Sequence, residues 1–119
     1  MSDFEKNIIN FAEQLSLAGI KFSNLNALAN AGPDSVIICG MGGSGLAGRI
    51  LQGVAPEINL SVPVVTWSDY GLPPHPFKNP FYIFVSFSGE TAETLSGFHA
   101  VPTGANSAAV ATGGALKKL

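Results

Sequence analysis

Apolar residues near the start of the chain recur at helical spacing. This period predicts an amphipathic helix over residues 2–18, and Ser2 followed by Glu5 fits a capping box at its beginning. A second, shorter helix is predicted over Asn24–Ala31. The apolar positions of the first helix are Phe4, Ile8, Phe11, Leu15 and Ala18. The chain is therefore expected to begin with a helical segment, residues 1–32.

Four short apolar runs follow. They show little of the alternation between apolar and polar residues that is typical of a strand with one solvent-exposed face. Continuous apolar strands are typical of a parallel sheet buried on both faces. The predicted strands are Ser35–Gly40, Val62–Trp67, Phe81–Phe87 and, more weakly because it is mostly alanine, Ser107–Ala111. Helices over Ser44–Val54 and Glu90–Ala100 alternate with them, and a proline-rich loop joins the second strand to the third. This order predicts an α/β fold, a doubly wound parallel sheet of about four strands with right-handed crossovers.

The composition is unusually apolar for a chain of 119 residues. Charged residues make up 12%, against ~25% in an ordinary globular domain. No formally charged residue occurs from Thr94 to Leu116, and Gly113–Gly114 resembles the start of another strand-to-helix turn close to the end of the sequence. We therefore expect residues 1–119 to form one partial domain, truncated on its C-terminal side. Its edge would be covered by a missing second half or by a second subunit, as in a homodimer.

Several classes of protein are excluded by the same counts. The apolar runs are far shorter than the ~20 residues needed to span a bilayer, and the first residues do not resemble a secretory signal. The single cysteine, Cys39, permits no internal disulfide. A net charge of -2 supplies no basic face for nucleic acid. We expect a cytoplasmic protein with no nucleic-acid or membrane partner, and no histidine–carboxylate cluster has the spacing of a metal site.

The first predicted strand runs into a glycine-rich turn that ends in Gly42-Gly43-Ser44-Gly45. Glycine lets a ligand approach the backbone closely, and the free N–H groups at the start of the following helix favour an anion such as phosphate. Two other interpretations stay open. Gly40-x-Gly42-x-x-Gly45 satisfies the dinucleotide fingerprint, with Asp69 as a candidate partner for the ribose of NAD. Alternatively, the glycines only let the helix pack tightly against the strand.

The third predicted strand ends in a second turn, lined with hydroxyls, over residues 86–91. Alternation places Ser86 and Ser88 on the same side of the chain, and Thr91 lies near the first helical turn. In a parallel sheet both turns lie at the carboxyl edge, where two cups of hydroxyls and amides suit one phosphate monoester. The alternative is that Ser88 or Thr91 is only a helix N-cap.

These residues resemble the sugar isomerase (SIS) domain family, and within it most closely the N-terminal part of the phosphoglucose/phosphomannose isomerases. The resemblance spans about residues 30–116, and the serine turn is its most specific element. The matching runs are Cys39–Gly45, Tyr70–Pro73, Val85–Leu95 and, more faintly, Gly104–Gly114. Two positions depart from the family: Ala115 stands where a basic residue is common, and Arg49 where an acid is common.

The resemblance implies an SIS, flavodoxin-like sheet that binds the phosphate of an aldose or ketose phosphate. The parent enzyme would convert glucose 6-phosphate or mannose 6-phosphate into fructose 6-phosphate without a cofactor. It would move a proton between C1 and C2, which requires a carboxylate base and a ring-opening histidine. Both are features of the family's second half, so the resemblance assigns no catalytic residue to this chain. The implied phosphate-binding residues are Gly42, Gly43, Ser44, Ser86, Ser88 and Thr91.

Other polar residues have weaker functional signals. Glu90 is either a base or a solvated or capping carboxylate, and Glu93 also lies near the proposed phosphate. His75 and His99 have no visible partner in the sequence, and Cys39 is interpreted as a small buried residue. Two other functions stay open: a non-catalytic sugar-phosphate sensor or subunit, and a fragment of a dinucleotide-binding oxidoreductase.

Overall fold

The computed structural model describes residues 1–10, 13 and 30–119. The first helix, α1, spans Asp3–Ile9, and its capping box forms as predicted: Ser2 Oγ accepts the Glu5 N–H, and Glu5 accepts the Ser2 N–H. The rest of the predicted helix 2–18 lies almost wholly outside the described residues. So does most of the helix predicted over Asn24–Ala31, of which residues 30 and 31 are described and helical.

Four parallel strands and three helices follow in the predicted order. They are β1 (Ser35–Gly40), α2 (Gly42–Val54), β2 (Val64–Trp67), β3 (Pro80–Val85), α3 (Ala92–His99), β4 (Ser107–Val110) and α4 (Gly114–Lys118). The sheet has the order β2-β1-β3-β4, with every pair parallel. This confirms the α/β fold with four strands. No helix forms between β2 and β3, as the prolines of that loop predicted.

The two crossover helices lie on opposite faces of the sheet. On one face, α3 covers a core of large side chains from β1 and β3. On the other face, α2 packs so closely on β1 that a Cβ on Gly48 would lie 2.9 Å from Cγ2 of Ile38. Because the chain leaves β1 and β3 in opposite directions, these central strands form the topological switch point, where such sheets bind ligands. One buried cluster consists of Ile37, Cys39, Tyr82, Phe84 and Leu116, and Ile38 and Val64 are buried as well.

The fourth strand differs from the other three in its exposure. All four residues of β4 are exposed, and the Val110 side chain retains 57% of its accessible surface. Among the strands that the structure describes, β4 pairs only with β3. Within the described part of the chain, β4 is therefore an exposed edge of the sheet.

The amino edge of the sheet is closed by a carboxylate. Asp34 accepts the N–H groups of Lys78 (2.8 Å) and Asn79 (3.1 Å), and the Ser35 hydroxyl (3.0 Å). Desolvation opposes ionisation of Asp34, but the hydrogen bonds outweigh it and hold the pKa of its carboxyl below the ordinary value. Asp34 thus ties the start of β1 to the loop that leads into β3.

Candidate functional site

The glycine turn and the serine turn meet at the carboxyl edge of the two central strands, where Gly40 pairs with Val85. Met41 is the N-cap of α2 and makes no side-chain capping bond, so the first N–H groups of that helix have no side-chain acceptor among the described residues. Gly42 adopts a φ of 52°, and a Cβ added to Gly42 or Gly43 would meet no atom of the described residues within 4 Å. The backbone here is open to a ligand.

Two other glycines of this turn serve packing. A Cβ on Gly45 would lie 2.6 Å from the carbonyl oxygen of Gly40, and one on Gly40 would lie 3.0 Å from the Val85 oxygen. Ser68, at the end of β2, donates to the same Gly40 carbonyl at 2.7 Å. The packing interpretation therefore describes Gly40 and Gly45, whereas the backbone at Gly42 and Gly43 is still open to an anion.

The serine turn is held by its own hydroxyls. Ser86 is only 1% exposed; its Oγ accepts the Gly89 N–H at 3.0 Å and lies 2.8 Å from Oγ1 of Thr91. Ser88 Oγ accepts the Glu90 N–H at 3.2 Å. Thr91 occupies the N-cap position of α3, but its hydroxyl makes no capping bond to the helix. Thr91 therefore lies at the N-cap position, as the alternative predicted, but its hydroxyl does not cap the helix.

One hydrogen bond joins the two turns. The N–H of Phe87, in the serine turn, donates to Oγ of Ser44, in the glycine turn, at 3.3 Å. Ser44 and Ser88 therefore each accept one backbone N–H through oxygen, and neither hydroxyl proton has an acceptor among the residues that the structure describes. Both hydroxyls retain a donor for a ligand.

A cleft of about 560 Å³ lies beside this junction, between the ends of β1, β3 and β4. Of the predicted phosphate-binding residues, Gly43 and Ser44 line it; the others lie in the adjoining turns. Most of its wall is apolar, and Phe87, at its rim, is 77% exposed. The lining residues are Met41, Gly43, Ser44, Val85, Phe87, Val110, Ala111 and Thr112.

Thr112 is a polar residue of this cleft that the sequence reasoning missed. Its hydroxyl donates to the Phe87 carbonyl at 2.6 Å, and its N–H donates to the same oxygen at 3.1 Å. Its position could have indicated this role: Thr112 comes two residues after β4, and Ser86 comes directly after β3. A hydroxyl residue thus follows each of β2, β3 and β4 at the carboxyl edge of the sheet, with Ser68 after β2.

Glu90 has a structural partner. Its Oε1 accepts the N–H of Ala115, in the first turn of α4, at 2.7 Å. The carboxylate therefore bonds to the start of α4, whereas the capping interpretation expected it to support the cap of α3. Asp69 accepts the N–H of Tyr70 at 2.7 Å. Its carboxylate is therefore bonded within its own turn, whereas the dinucleotide interpretation required it to bind a ribose.

The histidines and the cysteine lie apart from the junction. Nε2 of His75 is 3.0 Å from Oη of Tyr82, at the opposite end of β3, and His99 is exposed at the end of α3. Burial raises the pKa of the Cys39 thiol to about 11, so it is neutral at pH 7 and inert as a nucleophile. Within residues 1–10, 13 and 30–119, no group of three histidine, cysteine or acidic side chains could hold a metal ion. No helix of this part of the chain is long and apolar enough to cross a membrane.

Comparison with known proteins finds relatives of this chain. No protein-family model matches the chain. A bifunctional phosphoglucose/phosphomannose isomerase of Thermoplasma acidophilum is 41% identical over 86 residues, which cover 71% of this chain and 26% of that protein. The enzyme of the same name from Caldicellulosiruptor bescii is 34% identical over 115 residues, which cover 95% of this chain and 34% of that protein.

The chain is similar to bifunctional phosphoglucose/phosphomannose isomerases. This confirms the resemblance to that isomerase family. A third relative, from Aquifex aeolicus, is 36% identical over 63 residues, which cover 53% of this chain and 20% of that protein. The chain spans about a fifth to a third of the length of the phosphoglucose/phosphomannose isomerases that it matches.

Proposed function

We propose that this chain binds the phosphate group of an aldose or ketose phosphate between the glycine turn and the serine turn. The observation that carries the proposal is the Ser44–Phe87 hydrogen bond, which joins two turns that each precede a helix without a side-chain cap. Uncapped helix N-termini offer N–H donors and a favourable dipole to an anion. The similarity to phosphoglucose/phosphomannose isomerases supports a sugar phosphate as the ligand.

The predicted phosphate-binding residues would have different roles in this site. Gly42 and Gly43 would let the phosphate reach the N–H groups of α2, and Ser44 and Ser88 would donate their free hydroxyl protons. The remaining two, Ser86 and Thr91, bond to each other and hold the turn in shape. Because Ser86 is buried, its effect on the ligand would pass through Thr91.

The reaction we propose for the whole protein is the interconversion of glucose 6-phosphate or mannose 6-phosphate with fructose 6-phosphate. Proton transfer between C1 and C2 needs a base within hydrogen-bond reach of the substrate. Among the described residues, Glu90 is bonded to Ala115, and His75 bonds to Tyr82 away from the junction. We therefore propose that this chain supplies the phosphate site and that the base and the ring-opening group come from further polypeptide.

Calorimetric titration with glucose 6-phosphate tests the site. Hydrogen bonds to a charged group contribute ~1.5–3 kcal/mol each, so Ser88→Ala combined with Thr91→Ala should weaken binding by tenfold or more. Ser107→Ala is the matched control, because Ser107 is exposed at the amino end of β4. Titration heats of the double variant that match the wild type would sink the assignment.

A non-catalytic sugar-phosphate subunit or sensor is the second candidate. It is favoured by the engagement of Glu90 with Ala115, which leaves the acid of the serine turn already bonded. A coupled isomerase assay on the isolated chain, and on the chain with any co-purified partner, separates the two functions. Turnover by the isolated chain would contradict both the sensor and the need for a base from elsewhere.

We also propose that β4 pairs with β4 of a second copy of this chain. Its four exposed residues include no charge and no proline, the usual guards of an edge strand. Two identical edges can pair antiparallel about a two-fold axis. A dimer in sedimentation that Ala109→Pro turns into a folded monomer supports this, whereas a monomeric wild type contradicts it.

We further propose that the protein is located in the cytoplasm, and cell fractionation tests this location.

A further inference from the structure

An acidic side chain lies inside the turn that we propose binds an anion. Glu90 stands between Ser88, whose Oγ accepts its N–H, and Thr91, the N-cap of α3. A free carboxylate at this place would repel a phosphate and compete for the same N–H donors. In the structure its Oε1 is bonded instead to the N–H of Ala115, at 2.7 Å. The carboxylate is therefore turned toward α4.

The segment that receives Glu90 contacts the serine turn along its length. We call residues 112–116 the third turn. The Thr112 hydroxyl and N–H donate to the Phe87 carbonyl, and the Leu116 N–H donates to the Gly89 carbonyl at 3.0 Å. These bonds occupy carbonyl oxygens of the serine turn on the side that faces the third turn.

Close backbone packing accompanies these hydrogen bonds. Gly89 and Gly114 both have positive φ, 72° and 69°. A Cβ on Gly89 would collide with the carbonyl oxygen of Gly113, and one on Gly114 would lie 2.9 Å from Oε1 of Glu90. Leu116, only 2% exposed, anchors the third turn in the core. The two turns thus form one unit, and Glu90 is the charged side chain that joins them.

We infer that Glu90 is a positioning residue of the phosphate site. Its hydrogen bond to Ala115 holds the serine turn against the third turn and keeps its own negative charge away from the ligand. This inference rests on the proposed phosphate site, which Glu90 serves without touching the ligand. The necessary property of the side chain is an oxygen that accepts the Ala115 N–H, and glutamine has one as well.

Three variants separate the hydrogen bond from the charge. Glu90→Ala removes both, Glu90→Gln removes the charge and keeps an acceptor, and Glu93→Ala removes an equal charge from the first turn of α3. Loss of one intramolecular hydrogen bond corresponds to roughly two- to tenfold in an equilibrium constant. In titrations with glucose 6-phosphate we expect Glu90→Ala to bind about fivefold more weakly than Glu93→Ala, within that range. Glu90→Gln should bind at least as tightly as the wild type.

Amide hydrogen exchange without ligand gives a readout that is independent of binding. Glu90→Ala should speed exchange at the Ala115 N–H, and Glu90→Gln should leave it near the wild-type rate. Unchanged exchange in Glu90→Ala, or affinities of Glu90→Ala and Glu90→Gln that rise together, would overturn the positioning role. If the wild type fails to bind the sugar phosphate while Glu90→Ala still speeds exchange, the phosphate site fails and the link between the turns stands.

Discussion

The two edges of the sheet both collect backbone N–H groups, but they differ in whether a carboxylate already pairs with the N–H groups beside the central strands, β1 and β3. At the amino edge, the Asp34 carboxylate accepts N–H groups from Lys78 and Asn79, and the Asn79 side chain donates to the carbonyls of Ala31 and Gly32. At the carboxyl edge, α2 and α3 begin without side-chain caps, and the hydroxyl protons of Ser44 and Ser88 have no described acceptor.

This difference separates a structural edge from a binding edge. Backbone N–H groups that donate to a side chain of the same molecule stabilise the fold, because they are paired without a ligand. Donors left open contribute to affinity when an anion arrives. The carboxyl edge also contains an acid, Glu90, but the third turn holds it away from these donors. The same chemistry thus stabilises one end of the sheet and is available to a ligand at the other.

The largest expected effect contrasts Gly89, at the carboxyl edge, with Gly104, in the loop before β4. Both have positive φ, but only a Cβ on Gly89 would collide with another backbone, at Gly113. Gly104→Ala should lower the free energy of unfolding by about 1–2 kcal/mol, the cost of the left-handed conformation. Gly89→Ala should lower it by about 3 kcal/mol or more. Urea denaturation checks this, and equal losses would show that the serine turn is not packed against the third turn.

The next contrast uses two glycines of α2, Gly43 near the site and Gly53 near the opposite end of the helix. A Cβ at either position would lie more than 4 Å from any other group in the part of the chain that the structure describes. Alanine at either position should raise the free energy of unfolding by up to about 1 kcal/mol through helix propensity. Only Gly43→Ala should also weaken binding of glucose 6-phosphate, because the methyl group occupies the proposed approach. If titration shows equal affinity for both variants, the glycine turn does not contact the ligand.

The smallest expected effect concerns Asp34. Hydrogen bonds hold the pKa of its carboxyl below the ordinary value, so its contribution to stability is complete above the unfolded-state pKa of ~4 and is lost as pH falls through the lower folded-state pKa. Asp34→Asn should therefore be less stable than the wild type at pH 7, and the difference should shrink by pH 3. Urea denaturation at both pH values measures it. Binding of the sugar phosphate at pH 7 should not change; a loss of affinity would mean that the two edges are coupled.

The strands were predictable because each is a short apolar run between turn-forming residues. β1 has the predicted bounds, Ser35–Gly40. Each of the other strands shifts at one boundary or both. β3 ends at Val85, where the prediction extended to Phe87, because the Ser86 hydroxyl accepts the Gly89 N–H and begins the turn. The side-chain partners of the turns were not predictable in the same way. Glu90 and Ala115 are 25 residues apart, and no local pattern connects them.

The sequence by itself determined the order of the elements, the two turns and the resemblance to an isomerase family, because apolar period, glycine and serine are local signals. Only the tertiary structure decided which groups of those turns are already used. The pairing of β1 with β3 brings Ser44 to Phe87, and the third turn takes the charge of Glu90. A hydrogen bond depends on where two atoms meet in space. A sequence can therefore show the donors of a site, but the fold shows which of them remain free.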